Sequence, residues 1–209
     1  MKLKENTLTV ILLSICLASC SNLKLSSVAE NTLPDYYFPL EPFQDTSFPG
    51  STQSNIYYAQ YLRAFEEESL YKQSGEIIIY RFTWLRTFHH PVMVRVENIN
   101  DKLRVYWKVM DGMGGYGTDT LLQNERSGIS FQNWNELDSL IDETDFWNLP
   151  QGERKPPNTD GSNWLLEGYR NGNYHLVDRH SPKKDQAIYV LGTFILQLTN
   201  LQLDAEAIY

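Results

Sequence analysis

The stretch EIIIYRFTWLRTFHHPVMVRVENINDKLRVYWKVM, Glu76 to Met110, decides the fold. It contains three runs, 76–88, 92–98 and 102–110, rich in β-branched and aromatic residues and alternating with period two. In the second run Val92, Val94 and Val96 share one side while Met93, Arg95 and Glu97 share the other. In the third, Leu103, Val105, Trp107 and Val109 oppose Arg104, Tyr106 and Lys108. Short polar links join the runs, so they fold as an antiparallel meander.

The segments on either side extend this pattern. DTLLQNERSGISF continues the sheet, and NWNELDSLIDETDFW places Trp134, Leu137 and Leu140/Ile141 on a short helix that stops before Pro150. In NWLLEGYRNGNYHLVDR, Asn171-Gly172 is the favoured pair for a two-residue type I′ turn. That turn fixes the hairpin register: Tyr169 opposite Tyr174, Glu167 opposite Leu176 and Leu165 opposite Asp178. On the other face it sets Trp164 against Arg179, Leu166 against Val177 and Gly168 against His175. A final helix is expected from Ser181 as N-cap and Pro182 in the first turn, with an apolar stripe of Ala187, Leu191, Phe194, Ile195 and Leu198. Upstream, Tyr58, Tyr61, Leu62 and Phe65 form one face of a helix, and three acids, Glu66 to Glu68, close it. Acids at a helix C-terminus oppose the macrodipole, so this end either frays or is met by basic residues from elsewhere. The expected architecture is α+β: one antiparallel sheet of about six strands, meander plus late hairpin, with helices packed mainly on one face.

The N-terminus addresses location. Lys2 and Lys4 precede the apolar run LTVILLSICLAS, which is too short to span a bilayer as a stable helix. The run ends in Leu17-Ala18-Ser19-Cys20, which resembles the bacterial lipobox. That resemblance implies a signal peptide over 1–19, a diacylglyceryl group on Cys20 and an acylated mature N-terminus. Ser21 and Asn22 follow without an acid at the second position, which resembles lipoproteins sorted to the periplasmic face of the outer membrane. Residues 20–54 then read as lipidated cysteine and tether, rich in proline and aromatics, and 55–209 as a single domain. Cys16 and Cys20 are the two cysteines, so the mature chain has no disulfide and relies on its core. The formal charge of −8 becomes about −9 once two Lys and one Glu leave with the signal. Such a balance argues against a nucleic-acid partner and leaves the lipid to provide the membrane attachment.

Gly112, Gly114 and Gly117 in GMGGYG have the spacing of phosphate-binding loops. A dinucleotide fold needs a helix immediately after the glycines, whereas TDTLLQNERSG carries no helical stripe. The kinase loop needs a companion lysine, an H-R-D and a D-F-G, which are missing. The glycines therefore read as a turn between strands, and no cofactor is expected. His89-His90 precede Pro91 in extended backbone, where neighbours point to opposite sides, so at most one could ligate a given metal. No metal is expected either.

The chemistry that remains is a set of candidate ligand or ionic-network residues: Arg86, His89, Glu167, His175, Asp178 and Arg179. Glu167 and Asp178 are diagonal neighbours that could raise one another's pKa. Arg179 beside Trp164 suits a cation–π stack. As a structural network the two acids would neutralise Arg81, Arg86 and Arg95 of the meander. As a catalytic site, His175 would serve as base.

YRFTWLRTFHHPVMVR, GMGGYG, FWNLP and DGSNWLLEGYRNGNYHLVDRHSP together resemble a family of uncharacterised bacterial proteins over about Ile56 to Pro182. The resemblance implies a shared fold and brings no activity. His180 stands where that family has an aromatic residue. Three functions follow as expectations. The first is a non-catalytic, lipid-anchored envelope domain binding a protein or small molecule. The second is a hydrolase using the His89/His175 region with Glu167 or Asp178. The third is an inhibitor or immunity-type protein.

Overall fold

The computed structural model describes residues 37–39, 51–114, 116, 120–152, 160–203 and 208–209, with the side chains of 51–53 outside that description. The chain divides into two compact units, 1–35 and 36–209. The segments expected to be a signal peptide and tether, with Cys20, lie almost wholly outside the described residues, as do Gly115 and Gly117 of the glycine loop.

The second unit has the α+β architecture expected from the alternation. Its six strands are β1 (Ile78–Arg86), β2 (Val92–Ile99), β3 (Lys102–Met110), β4 (Leu121–Gly128), β5 (Ser162–Arg170) and β6 (Asn173–His180). They form one antiparallel sheet in the order β4-β3-β2-β1-β5-β6. The late hairpin has the register set by its turn, with Glu167 opposite Leu176 and Gly168 opposite His175. Asn171 and Gly172 both take positive φ, 49° and 91°, as a type I′ turn requires. Asn100 and Asp101 do the same between β2 and β3, at 51° and 60°.

Three α-helices are described: α1 (Ser51–Ala64), α2 (Phe131–Glu143) and α3 (Ala187–Gln197). Two of them, α2 and α3, cover the face formed by Tyr80, Phe82, Trp84, Val94, Trp107 and Trp164. The third, α1, covers the opposite face, where Tyr58, Leu62 and Phe65 pack with Leu85, Met93 and Leu165. Phe38 is fully buried in that second cluster. Among the described residues no helix is long and apolar enough to cross a membrane.

Two local expectations are corrected. Ser181 does not cap α3. Its Oγ accepts from Ser162 N–H at 3.0 Å and its own N–H donates to Ser162 O at 2.8 Å, so it closes the open end of the hairpin. The helix then begins six residues later, and the buried stripe runs through Ile188, Leu191, Gly192, Ile195 and Leu196. Gly114, for its part, owes its place to close approach. A Cβ there would lie 2.5 Å from Arg86 N and 2.7 Å from Arg86 O, backbone atoms that cannot swing aside.

Candidate functional site

Two places in the domain concentrate polar chemistry, and they lie on different faces of the sheet. The first is under α1. Strand alternation puts Arg81, Arg95 and Tyr106 in one row across β1, β2 and β3, with Glu167 continuing the row on β5. Two arginines directly opposite each other repel. Glu67, just past the end of α1, settles this by reaching both, at 2.9 Å from Arg95 Nε and 3.6 Å from Arg81. Lys108 Nζ reaches the same carboxylate at 2.8 Å. Arg81 gives its Nε and Nη2 edge to Glu167 at 2.8 and 2.9 Å, and Tyr174 adds its hydroxyl to the same carboxylate at 3.0 Å. Glu97 accepts from Arg95 and from Tyr106 OH.

The same cations cap α1. Glu66 takes φ 54°, and Glu67 N–H donates to Leu62 O while Glu66 N–H donates to Arg63 O, a Schellman ending. Lys108 Nζ then donates to Phe65 O at 2.6 Å, and Arg81 Nη1 to Glu68 O at 2.6 Å. The helix end that three acids should have weakened is thus met by buried basic residues. Arg81 and Glu167 are both 0% exposed. Burial pulls the Arg81 guanidinium down, but Glu167 and Glu67 outweigh it and hold it above its ordinary range. For Glu167 burial wins, raising the carboxyl despite Arg81. A cleft of about 320 Å³ opens beside the network, lined by Glu66, Glu68, Arg95 and Glu97 among others.

The second place is the end of the sheet where β1, β3 and β6 finish and β2 and β5 begin. It gathers Arg86, the 87–91 loop, the glycine loop, Ser162 and His180. Gly114 N–H donates to Arg86 O at 2.8 Å, and Tyr57 OH donates to Gly114 O at 2.5 Å, so α1 and both loops are tied together. Among the described residues the next element after the glycines is β4, an antiparallel strand, rather than a helix whose N-terminus could meet a pyrophosphate. Phe88, Met113 and Tyr116 are exposed on these two loops, at 58%, 44% and 76%.

The predicted site residues separate across this frame. Glu167 lies in the network under α1. Asp178 shares that face but accepts from Tyr58 OH at 2.6 Å, so the two acids serve different partners. The mutual carboxylate effect expected of them is replaced by burial and Arg81 at Glu167. His175 is on the opposite face, against Phe146 and Trp147, where its Nε2–H donates to Leu149 O at 3.0 Å. Burial lowers its pKa, and the Arg179 charge adds to the fall. Arg179 does not stack on Trp164. Its guanidinium is drawn to the carbonyls of Pro150 and Asp178, and Trp164 stacks on Tyr189 instead. His89 Nδ1 meets Tyr209 OH at 3.0 Å, and His90 Nδ1–H donates to Gly112 O at 3.0 Å.

Arg86 is the largest departure from expectation. It pairs with neither Glu167 nor Asp178, because β1 alternation turns it to the face opposite Arg81. Its guanidinium lies 4.0 Å over the Trp84 ring and Nη2 donates to His90 O at 2.9 Å. Burial lowers its pKa to about 10, with only Tyr209 acting against the fall.

Glu67 and Lys108 were not among the predicted site residues. The unfavourable acid run after α1 was their signal, since a helix end that does not fray there has to be met by basic residues from elsewhere. No protein-family model matches the chain, and no curated protein matches it.

Proposed function

We propose that this is a lipid-anchored bacterial envelope protein, held through Cys20 at the periplasmic face of the outer membrane, whose domain binds a partner without catalysing a reaction. One observation carries the reading. The groups that could have formed a hydrolytic site are separated, Glu167 and Asp178 on the α1 face, His175 on the other and His89 in the loop after β1, and each has an internal partner. A nucleophile–base pair needs its members within hydrogen-bond reach of one another. The surface that faces outward at the loop end is of another kind, with Phe88, Met113 and Tyr116 exposed around the buried Arg86. Aromatic side chains, methionine and arginine are the residues enriched where proteins bind partners.

Two measurements test the reading. In bacterial cells given labelled palmitate, wild type takes up label and fractionates with the outer membrane, while Cys20→Ala does neither. Label on the variant contradicts the anchor. The purified full chain should hydrolyse no member of a generic ester panel. Hydrolysis abolished by His175→Ala would establish the enzyme reading instead.

A further inference from the structure

Trp84 and Arg86 on β1 face Trp164 and Ser162 on β5 as direct cross-strand pairs, so the four side chains form one block at the loop end of the two central strands. The two indoles pack with centroids 5.6 Å apart and the guanidinium covers the Trp84 ring. All four residues are buried, Arg86 at 5% exposure. The block is rich in donors and poor in acceptors. Arg86 Nε and Trp84 Nε1 are buried with no acceptor among the described residues. Trp164 Nε1 donates to Ser162 Oγ at 2.7 Å and to Tyr209 O at 3.1 Å, and Ser162 Oγ donates to the same Tyr209 oxygen.

Arg86 also differs from the cations of the network under α1. Arg81, Arg95 and Lys108 each have a carboxylate within 3.0 Å, and Arg86 has none within ion-pair distance among the described residues. Buried polar groups are as a rule hydrogen-bonded, and buried charges are as a rule paired. Two orphan donors in one block, one of them on a guanidinium whose acceptor among the described residues is the neutral His90 carbonyl, leave a place for an acceptor from outside the described residues.

We propose that this block is a carboxylate-binding site, with Arg86 and Trp84 as its anchor and with Tyr209 seated on the remaining donors, Ser162 and Trp164, until a ligand takes them. The proposal deepens the binding reading above and rests on it. One fixed cation with neutral N–H and O–H donors matches a planar acceptor bearing a single negative charge. The Nε edge of Arg86 is the edge by which Arg81 already holds Glu167, at 2.8 Å. A phosphate monoester, with up to two charges and three oxygens, would meet one cation only. The indole walls favour a carboxylate carried on an apolar or aromatic group. Tyr209, half-buried, is held from outside by its hydroxyl and ring against His89, while its main-chain oxygen takes the Ser162 and Trp164 donors that such a ligand would use.

The test uses the full chain in detergent, ¹⁵N-labelled, with the indole N–H signals of Trp84 and Trp164 followed during titration with phenylacetate, acetate and inorganic phosphate at constant ionic strength. Phenylacetate should give a saturable shift of the Trp84 signal, acetate a weaker one and phosphate none. Arg86→Gln should weaken phenylacetate binding by about tenfold or more, the usual scale for losing a charge-assisted hydrogen bond. Tyr209→Ala keeps the main-chain oxygen but removes the ring and hydroxyl that His89 anchors, so the oxygen is displaced more easily and binding should strengthen. Trp84→Phe, which keeps a ring under the guanidinium while removing the N–H donor and part of the indole, should weaken it several-fold and serves if Arg86→Gln does not fold. No saturable shift in wild type or Tyr209→Ala overturns the proposal, as does phosphate binding as tightly as phenylacetate. An envelope ligand held equally by wild type and Arg86→Gln would sink the carboxylate site and leave the binding reading standing.

Discussion

Removing either partner of the Arg81–Glu167 pair should destabilise the domain by about 3–5 kcal/mol, because each change strands a buried charge. Both side chains are 0% exposed and share a two-bond fork at 2.8 and 2.9 Å. The network balances Arg81, Arg95 and Lys108 against Glu67, Glu97 and Glu167. Glu167→Gln leaves one uncompensated positive charge, with Glu67 still 3.6 Å from Arg81. Arg81→Met leaves Glu167 with the Tyr174 hydroxyl but without its cation, so the carboxyl, already raised by burial, rises further. An acid whose folded pKa exceeds its unfolded value confers stability below the unfolded pKa and loses it as pH rises through the folded one. Arg81→Met should therefore be closest to wild type in acid and furthest from it at neutral pH. Glu167→Gln, having no carboxyl there, should lack that dependence. At roughly 2–4 °C per kcal/mol for a domain of this size, each single variant should melt about 6–20 °C below wild type at pH 7. The double variant, with its remaining charges balanced, should recover at least about 1 kcal/mol relative to the sum of the two losses. Circular-dichroism melts and urea titrations read these values. Single variants melting within about 2 °C of wild type, or losses that simply add, would refute the reasoning.

Gly114→Ala should lower stability by more than about 1 kcal/mol, since its Cβ meets backbone rather than a mobile side chain, and neither form should bind ATP or NAD in equilibrium dialysis. Lys108→Met should expose the carbonyls at the end of α1, and hydrogen exchange should quicken in its last turn before any change in β3. His175 has a depressed pKa, so it confers stability above about pH 6.5 that is lost as pH falls toward its folded value. Between pH 7 and 5 the melting temperature of His175→Gln should therefore drop less than that of wild type, and an equal drop would contradict the assignment.

The sheet was readable because its signals are local. Period-two alternation and the Asn171–Gly172 turn suffice to set every pair from Asn163–His180 to Arg170–Asn173. The same alternation places Arg81 and Arg86, five residues apart, on opposite faces, so a single counter-ion set could not serve both. What alternation cannot supply is the element that covers each face. Glu67 reaches Arg95 from beyond α1, and only the three-dimensional packing puts that helix over the arginine row. Gly114 was read as a turn glycine, yet its constraint comes from Arg86, 28 positions earlier in the chain, which no local pattern records. Ser181 had a good N-cap context, and lost that role because Ser162 N–H, brought alongside by the hairpin, claims its hydroxyl. At Arg86 the expected carboxylate partner fails, because alternation turns the side chain to the other face and its Nη2 donates to the His90 carbonyl instead.

The central claim, that partners are met at the loop end of the sheet, is tested most directly by placing a photo-crosslinking amino acid at one of two exposed positions in full-length protein in living bacterial cells. Phe88 lies at the loop end and is 58% exposed; Phe131 lies at the start of α2, next to the opposite end of the sheet, and is 72% exposed. On irradiation, position 88 should give a discrete higher-mass adduct and position 131 none. An adduct at 131 with none at 88 would contradict the account.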